Sequence, residues 1–319
     1  MRTSRRTATS SLLVMACAFP SVLHAQEGTV VPFKFDWKPG TVADVTSEAT
    51  MSMLGNTQPT VRMTMRLTVA DHPEGRVVGS QMVGAMTSGG QAMPDVAGIA
   101  GAAQNQFVVS ADGRYRRLAD TAKARQSADS LAATMLRKLA SAPPGMREMM
   151  KQGFTVERLE AGAKQGWEQQ TQGFLTRSWK VGEQHMDTVE TASPFAAGQT
   201  LRTPQRTTVL ALVACDSAGT GTAPARRCAR VRRVSTMDAA AMKAAIERMM
   251  RERLPDGADA ILAQGTPDIL METTTDMLIE VETLLIRGLG VRMVQTMSIM
   301  GSTQQSETSS TVTYTYTSR

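Results

Sequence analysis

The sequence predicts an α+β protein dominated by antiparallel strands, arranged as two curved sheets with helical inserts. Three observations carry this. Residues 60–70 (TVRMTMRLTVA) alternate strictly, so Val61, Met63, Met65, Leu67 and Val69 share one face. Residues 311–317 (TVTYTYT) alternate in the same way, grouping Val312, Tyr314 and Tyr316. Between these β regions the period lengthens. Ala124, Ala128, Leu131, Met135 and Leu139 recur at helical spacing and mark an amphipathic helix.

Taken in order, residues 41–54 read as a strand closed by the turn formers Gly55-Asn56. The alternating strand follows, then a turn at 71–75 (DHPEG) and a third strand over 76–86. Residues 84–101 are small and without a regular period. Residues 107–110 and 114–118 flank Ala111-Asp112-Gly113 as a compact hairpin. Asp120 can cap the helix that follows, which Pro143-Pro144-Gly145 ends. More helix is predicted over 146–151 and 155–170. A further helix starts near Asp238 and offers Met242, Ile246, Met249, Met250 and Leu254 before Pro255. Residues 277–286 and 291–300 then read as strands flanking Arg287-Gly288-Leu289-Gly290, a hairpin turn.

Both β regions open on the same short pattern, Trp37-Lys38-Pro39-Gly40 and Trp179-Lys180-Val181-Gly182. A Trp can anchor the start of a strand in the core while the Gly allows a bend. A strand, a hairpin, an insert and closing strands follow each opener, which points to an internal duplication. The chain then divides into a leader (1–25), a first β-rich half (26–119), a helical connector (120–171) and a second β-rich half (172–319) with a helical insert at 238–254.

The leader has a positive start (Arg2, Arg5, Arg6), an apolar stretch over 12–19 (LLVMACAF), Pro20 and a polar exit at Gln26-Glu27. That is the pattern of a secretory signal cut after Ala25, and it places the mature protein in the periplasm or outside the cell. An alternative treats Val14-Met15-Ala16-Cys17 as a lipobox, with Cys17 acylated and anchored. Twin-arginine export, on Ser4-Arg5-Arg6, ranks third. Past the leader no apolar run is long enough for a transmembrane helix. Half of the formal net charge of +6 belongs to the three leader arginines, so the basic balance describes a destination rather than a partner. A 42% hydrophobic content excludes a wholly disordered chain.

Of three cysteines, Cys215 and Cys228 lie beyond the leader. They sit near the facing ends of two strand-like runs, 207–214 (TTVLALVA) and 226–234 (RRCARVRRV), with turn formers at 216–224 between them. In an oxidising compartment that arrangement predicts a disulfide, stabilising by roughly 3 kcal/mol in the chain-entropy model. A reactive or metal-binding pair is the alternative, and it has neither a CxxC spacing nor a neighbouring histidine to support it.

On the W-K-x-G openers, the helix containing Gly166-Trp167-Glu168 and the Thr-rich closing strands, the chain resembles uncharacterised exported bacterial proteins of the domain-of-unknown-function type. More loosely, its architecture resembles periplasmic lipoprotein-carrier proteins, open β half-barrels with helices over the concave face. That second resemblance is architectural and carries no residues across.

No HExxH, GxSxG, SxxK, P-loop, GxGxxG or zinc-spaced Cys/His cluster is present. His72 falls in a turn, and His185, beside Glu183 and Asp187, reads as a strand-surface histidine before it reads as an acid–base group. Glu280 and Glu282 share a strand face, which alternation assigns to solvent rather than to a glycosidase cleft. No catalytic residue and no cofactor is assigned. The 23 methionines, all but Met1 and Met15 beyond the leader, are the outlying composition figure. Met51, Met53, Met63 and Met65 could converge as four thioethers if Met51 faced Met65 and Met53 faced Met63. Soft thioethers select Cu(I), whereas continuity with Val61, Leu67 and Val69 favours a packed face. Arg226, Arg227, Arg230, Arg232 and Arg233 crowd one strand without interleaved aromatics, so nucleic acid is not an expected partner. The leading expectation is an exported non-catalytic binding or scaffold protein for an apolar or lipid-like ligand, such as envelope lipid. Copper buffering through methionine is the alternative, and a hydrolase of unknown substrate is third.

Overall fold

A computed structural model describes residues 27–53, 55–93, 105–138, 155–192, 200–215, 226–253, 266, 268–299 and 302–318, with 259 and 262. The expected leader with Cys17, residues 94–101 of the small-residue stretch, the Pro-Pro-Gly helix stop, the helix at 146–151 and the turn formers at 216–224 lie outside the described residues.

The strands are β1 (Val30–Val31), β2 (Val42–Met53), β3 (Asn56–Thr57), β4 (Val61–His72), β5 (Gly75–Met82), β6 (Thr87–Ser88), β7 (Gln91–Ala92), β8 (Asn105–Val109) and β9 (Tyr115–Leu118), then β10 (Trp179–Lys180), β11 (Gln184–Ala192), β12 (Thr200–Ala214), β13 (Arg227–Thr236), β14 (Asp268–Glu280), β15 (Ile286–Ile299) and β16 (Ser302–Ser318). The helices are α1 (Thr121–Lys138), α2 (Val156–Gln170) and α3 (Ala239–Arg253), with a 3-10 turn at Gln172–Phe174. The protein is thus β-rich, with helices inserted between antiparallel strands.

Two sheets were the expectation, one for each β-rich half. Instead a single 14-stranded sheet runs β11-β12-β13-β14-β15-β16-β2-β4-β5-β8-β9, with short β3, β6 and β7 as side additions, and it does not close. The junction is β16 against β2, in register from Ser306↔Met53 to Tyr316↔Ala43. β16 is longer than its alternating core suggested, and its paired length lets the last strand bridge the halves. Among the described residues only β1 and β10 stand apart, as a two-stranded sheet that ties the segment at Val30–Val31 to Trp179.

The local predictions hold where turn chemistry dictates them. Pro73-Glu74 joins β4 to β5. Gly113, in the β8–β9 turn, adopts φ +84, and a Cβ there would lie 2.7 Å from the Phe35 ring. The Asp120 carboxylate accepts from Lys123 N at 2.9 Å, and that of Asp238 from Ala240 N at 2.8 Å, capping α1 and α3. One hairpin is displaced. β14 ends at Glu280, the turn occupies 281–285, and Gly288 and Gly290 lie inside β15. The reversal is made by Leu284 at φ +60, whose N–H donates to the Glu280 carbonyl, so the glycines are strand residues rather than turn residues.

Register assigns the two faces. The inward rows run His185–Thr207–Arg233–Thr275–Val291–Ser310–Ala49–Val61 and Val209–Val231–Met277–Leu289–Val312–Ser47–Met63 across successive strands. The helices cover this face at two places. Near one end, Trp37, Trp167, Val69, Val78, Val109 and Leu285 form a cluster, adjoining a second built on Phe174, Trp179, Val209, Val231 and Met277. Trp167 stands edge-on to Trp37 at 5.2 Å and donates its indole N–H to the Gly113 carbonyl at 2.7 Å. At the other place, α3 packs Met242, Ala245 and Ile246 against Leu201 and Ile269. Apolar burial of this kind stabilises by about 1.5–3 kcal/mol per large side chain.

Candidate functional site

Two stretches of the inward face are candidates. The first lies outside the three buried clusters and carries Met51, Met53, Met63, Met65, Met82, Met271 and Met293, with Val45, Val61 and Val291 between them. The strand period puts them on one face: each occupies an alternate position of β2, β4, β5, β14 or β15, with Met65 paired directly with Met82, Met293 in the row of Met51 and Met271 in the row of Met53. Met51 is 43% and Met53 50% exposed, while Met63, Met65, Met82, Met271 and Met293 are half-buried. Hydroxyls of Ser47, Thr273, Thr308 and Ser310 are interspersed on the same face. Flexible thioethers on such a surface can conform to an irregular apolar partner.

The register differs from the one that a four-thioether copper site requires. Met65 faces Val45 and Met63 faces Ser47, while Met51 and Met53 face Thr308 and Ser306 of β16. Residues after β2 fold back on it as β3, pairing Ser52 with Thr57, and this shifts the return strand. Met51 consequently lies four positions along β2 from the partner of Met63, about 13 Å. Met53 lies eight positions from the partner of Met65, about 27 Å. The four do not converge. Among the described residues no group of three or more His, Cys, Asp or Glu is placed to hold a metal ion.

The second stretch is a cavity of about 330 Å³ between the end of α2 and strands β11–β13, lined among others by Gln165, Arg177, Trp179, Asp187, Gln205 and Arg233. Arg233 is only 8% exposed. Its guanidinium lies 4.7 Å over the Phe174 ring, and Nη1 donates to the Gln169 carbonyl in the last turn of α2. Its Nε has no hydrogen-bond partner. Burial pushes the Arg233 pKa down to about 10, with Asp187 opposing that shift. Asp187 itself is held by Arg177 at 2.7 Å.

The other sequence candidates fall as follows. Cys215 and Cys228 form a disulfide with a Cα–Cα distance of 4.9 Å, joining the β12–β13 hairpin across a diagonal. His185 stands edge-on to Trp179 at 4.7 Å, with Glu183 3.8 Å away and Nε2 without a hydrogen-bond partner. His72 accepts from Glu74 N within its turn. Glu280 and Glu282 do not share a solvated face. Glu280 is 2% exposed and ion-paired with Arg226 and Arg287, whereas Glu282 is exposed and pairs with Arg227 at 3.0 Å. The arginines of β13 divide between the faces: Arg232 pairs outward with Asp276 at 2.7 Å, and Arg233 turns inward. The signal for Arg233 is present in the sequence, because it shares the parity of Ala229 and Val231.

No family model matches the chain, and no curated protein matches it. Among solved structures, one described as lipid–protein interactions in lipovitellin aligns at a TM-score of 0.40 with 11% identity, covering 88% of this chain and 25% of its own. The chain thus spans about a quarter of that structure's length. Among the described residues no helix is long and apolar enough to cross a membrane.

Proposed function

We propose that this is an exported, non-catalytic binding or scaffold protein of the bacterial envelope that takes an apolar or lipid-like ligand on the methionine-rich part of its sheet. The observation that supports it is the placement of Met63, Met65, Met82, Met271 and Met293 on one sheet face with exposed Met51 and Met53, outside every buried cluster. A wide, conformable apolar face with sparse hydroxyls suits a ligand recognised by area rather than by directed hydrogen bonds. The leader cut after Ala25 and the disulfide fit this setting. The likeness to lipoprotein carriers stays an architectural parallel, and the two W-K-x-G openers are read as the mark of an ancestral duplication.

The deciding experiment is native mass spectrometry of protein purified from its own periplasm, followed by titration of the delipidated protein with a fluorescent fatty acid. Extra mass matching a lipid, and probe affinity reduced at least tenfold by Met63→Glu with Met65→Glu, are expected. A bare mass together with no probe binding at saturating concentration rules the function out.

A further inference from the structure

A buried cation without a paired anion is costly, by several kcal/mol for an isolated charge, so Arg233 requires a reason. Part of the charge is offset by the C-terminal carbonyls of α2, one of which accepts from Nη1, and by the Phe174 face. The carboxylates around the cavity are committed elsewhere: Asp187 to Arg177 at 2.7 Å, Glu190 to Arg202 at 3.0 Å, and Glu168 next to Lys164 at 3.9 Å. Among the described residues none is ion-paired with Arg233. What remains is a planar guanidinium with an unsatisfied Nε–H, lining a cavity whose other walls include the side chains of Gln205 and Thr207. The guanidinium fork matches a two-oxygen anion, and low local polarity strengthens such a contact.

We infer that the cavity beneath α2 binds an oxyanion group, a phosphate or carboxylate, on Arg233. The group arrives as a free anion or as the head of an amphiphile. In the second case the inference rests on the apolar function proposed above, because Arg233 shares the inward face with the methionine surface. From β13 that surface begins one strand away, at Met271 of β14. Head and tail would then lie along a single sheet face, with the head fixing the orientation of the tail.

Calorimetric titration of the purified protein at constant ionic strength separates the cases, with three probes: inorganic phosphate, dodecyl phosphate and dodecyl maltoside. The expected result is saturable phosphate binding in the millimolar range, with dodecyl phosphate at least tenfold tighter and competitive with it. Arg233→Gln should weaken both at least tenfold and leave dodecyl maltoside unaffected. Because Arg233 packs on Phe174, a second variant, Val189→Trp, narrows the cavity from a half-buried inward position of β11 and should weaken phosphate while the fold is kept. No phosphate saturation, with dodecyl phosphate binding no better than the maltoside, overturns the oxyanion site and leaves the apolar function standing. Phosphate binding that both variants retain unchanged also overturns it. Phosphate binding lost in both variants, with no gain from either dodecyl chain, upholds a free-anion site and removes the apolar function.

Discussion

The two faces of the sheet are made of alternate residues of the same strands, yet they are held by different physics. Outward, Asp44 meets Arg66, Glu48 meets Arg62, Arg232 meets Asp276 and Arg292 meets Glu307, with Thr46 and Thr64 bonded between them. Inward lie Val, Met, Tyr and the clusters around Trp37, Trp167 and Trp179. Exposed ion pairs contribute little net stability, because water competes for both partners. Removal of apolar area from water does most of the stabilising. The outward face therefore contributes charge and register, and the inward face supplies most of the stability and, on the function proposed above, the ligand surface.

The largest effect tests that division directly. Phe174 is 1% exposed at the centre of the inward cluster, so Phe174→Ala should lose about 3–5 kcal/mol in a urea titration. A loss as small as that of an outward substitution would break the comparison.

Next comes the exception on the outward parity, Glu280, which is buried against Arg287. Glu280→Gln leaves that guanidinium unpaired in the interior and should cost about 3 kcal/mol. Glu307→Gln, which removes a similar Arg–carboxylate contact in the open, should lower the melting temperature at neutral pH only slightly. Equal effects from the two would show that burial is not the deciding variable.

The tyrosines sharpen the comparison through pH. All three, Tyr115, Tyr314 and Tyr316, are raised above the ordinary value of 10.0, mainly because burial penalises the phenolate, and Tyr115 and Tyr314 reach about 12. A raised acid favours its protonated form in the fold. Its contribution is therefore complete below pH 10 and drains away as pH climbs through 12. Absorbance at 295 nm should show no tyrosine ionising near pH 10 in the native protein, whereas the urea-unfolded chain should ionise there.

The smallest effect is acidic and belongs to the outward face. Arg66 holds Asp44 below its ordinary 3.8, and Arg292 holds Glu307 below its ordinary 4.5. Depressed carboxylates contribute above their unfolded values and cease to do so as pH falls through the folded ones. A shallow decline in melting temperature below about pH 4, reduced in the Glu307→Gln variant, is expected. A slope unchanged by that substitution would remove the ion pair from the account.

Local chemistry was legible in the sequence, and long-range pairing was not. The turn at Pro73-Glu74, the cap Asp120, the helix start near Asp238 and the cystine follow from neighbours in sequence, where short-range sterics and hydrogen bonding decide. The union of the two halves depends on β16 choosing β2, a contact between opposite ends of the chain that no local pattern encodes. The methionine register failed for the same reason, since β3 altered the return path. At Gly288 and Gly290 composition suggested a turn, but the tight reversal fell to Leu284. Alternation correctly divided the faces, and it also contained the inward placement of Arg233, which a crowd of five arginines concealed.

The position of β16 in mid-sheet has a kinetic consequence. Thr317 reaches the carbonyl of Val42, 275 positions earlier, so the central seam forms only after the final residues have arrived. Loop closure over that distance precedes any reward from pairing, and such topologies fold slowly. Until it happens, β2 and β15 each present a bare row of backbone donors and acceptors, a template for pairing with the wrong chain. A polypeptide truncated before Ser302 should therefore aggregate rather than merely melt earlier. The interval between synthesis of the N-terminal half and docking of β16 is therefore the period in which a holding chaperone matters most.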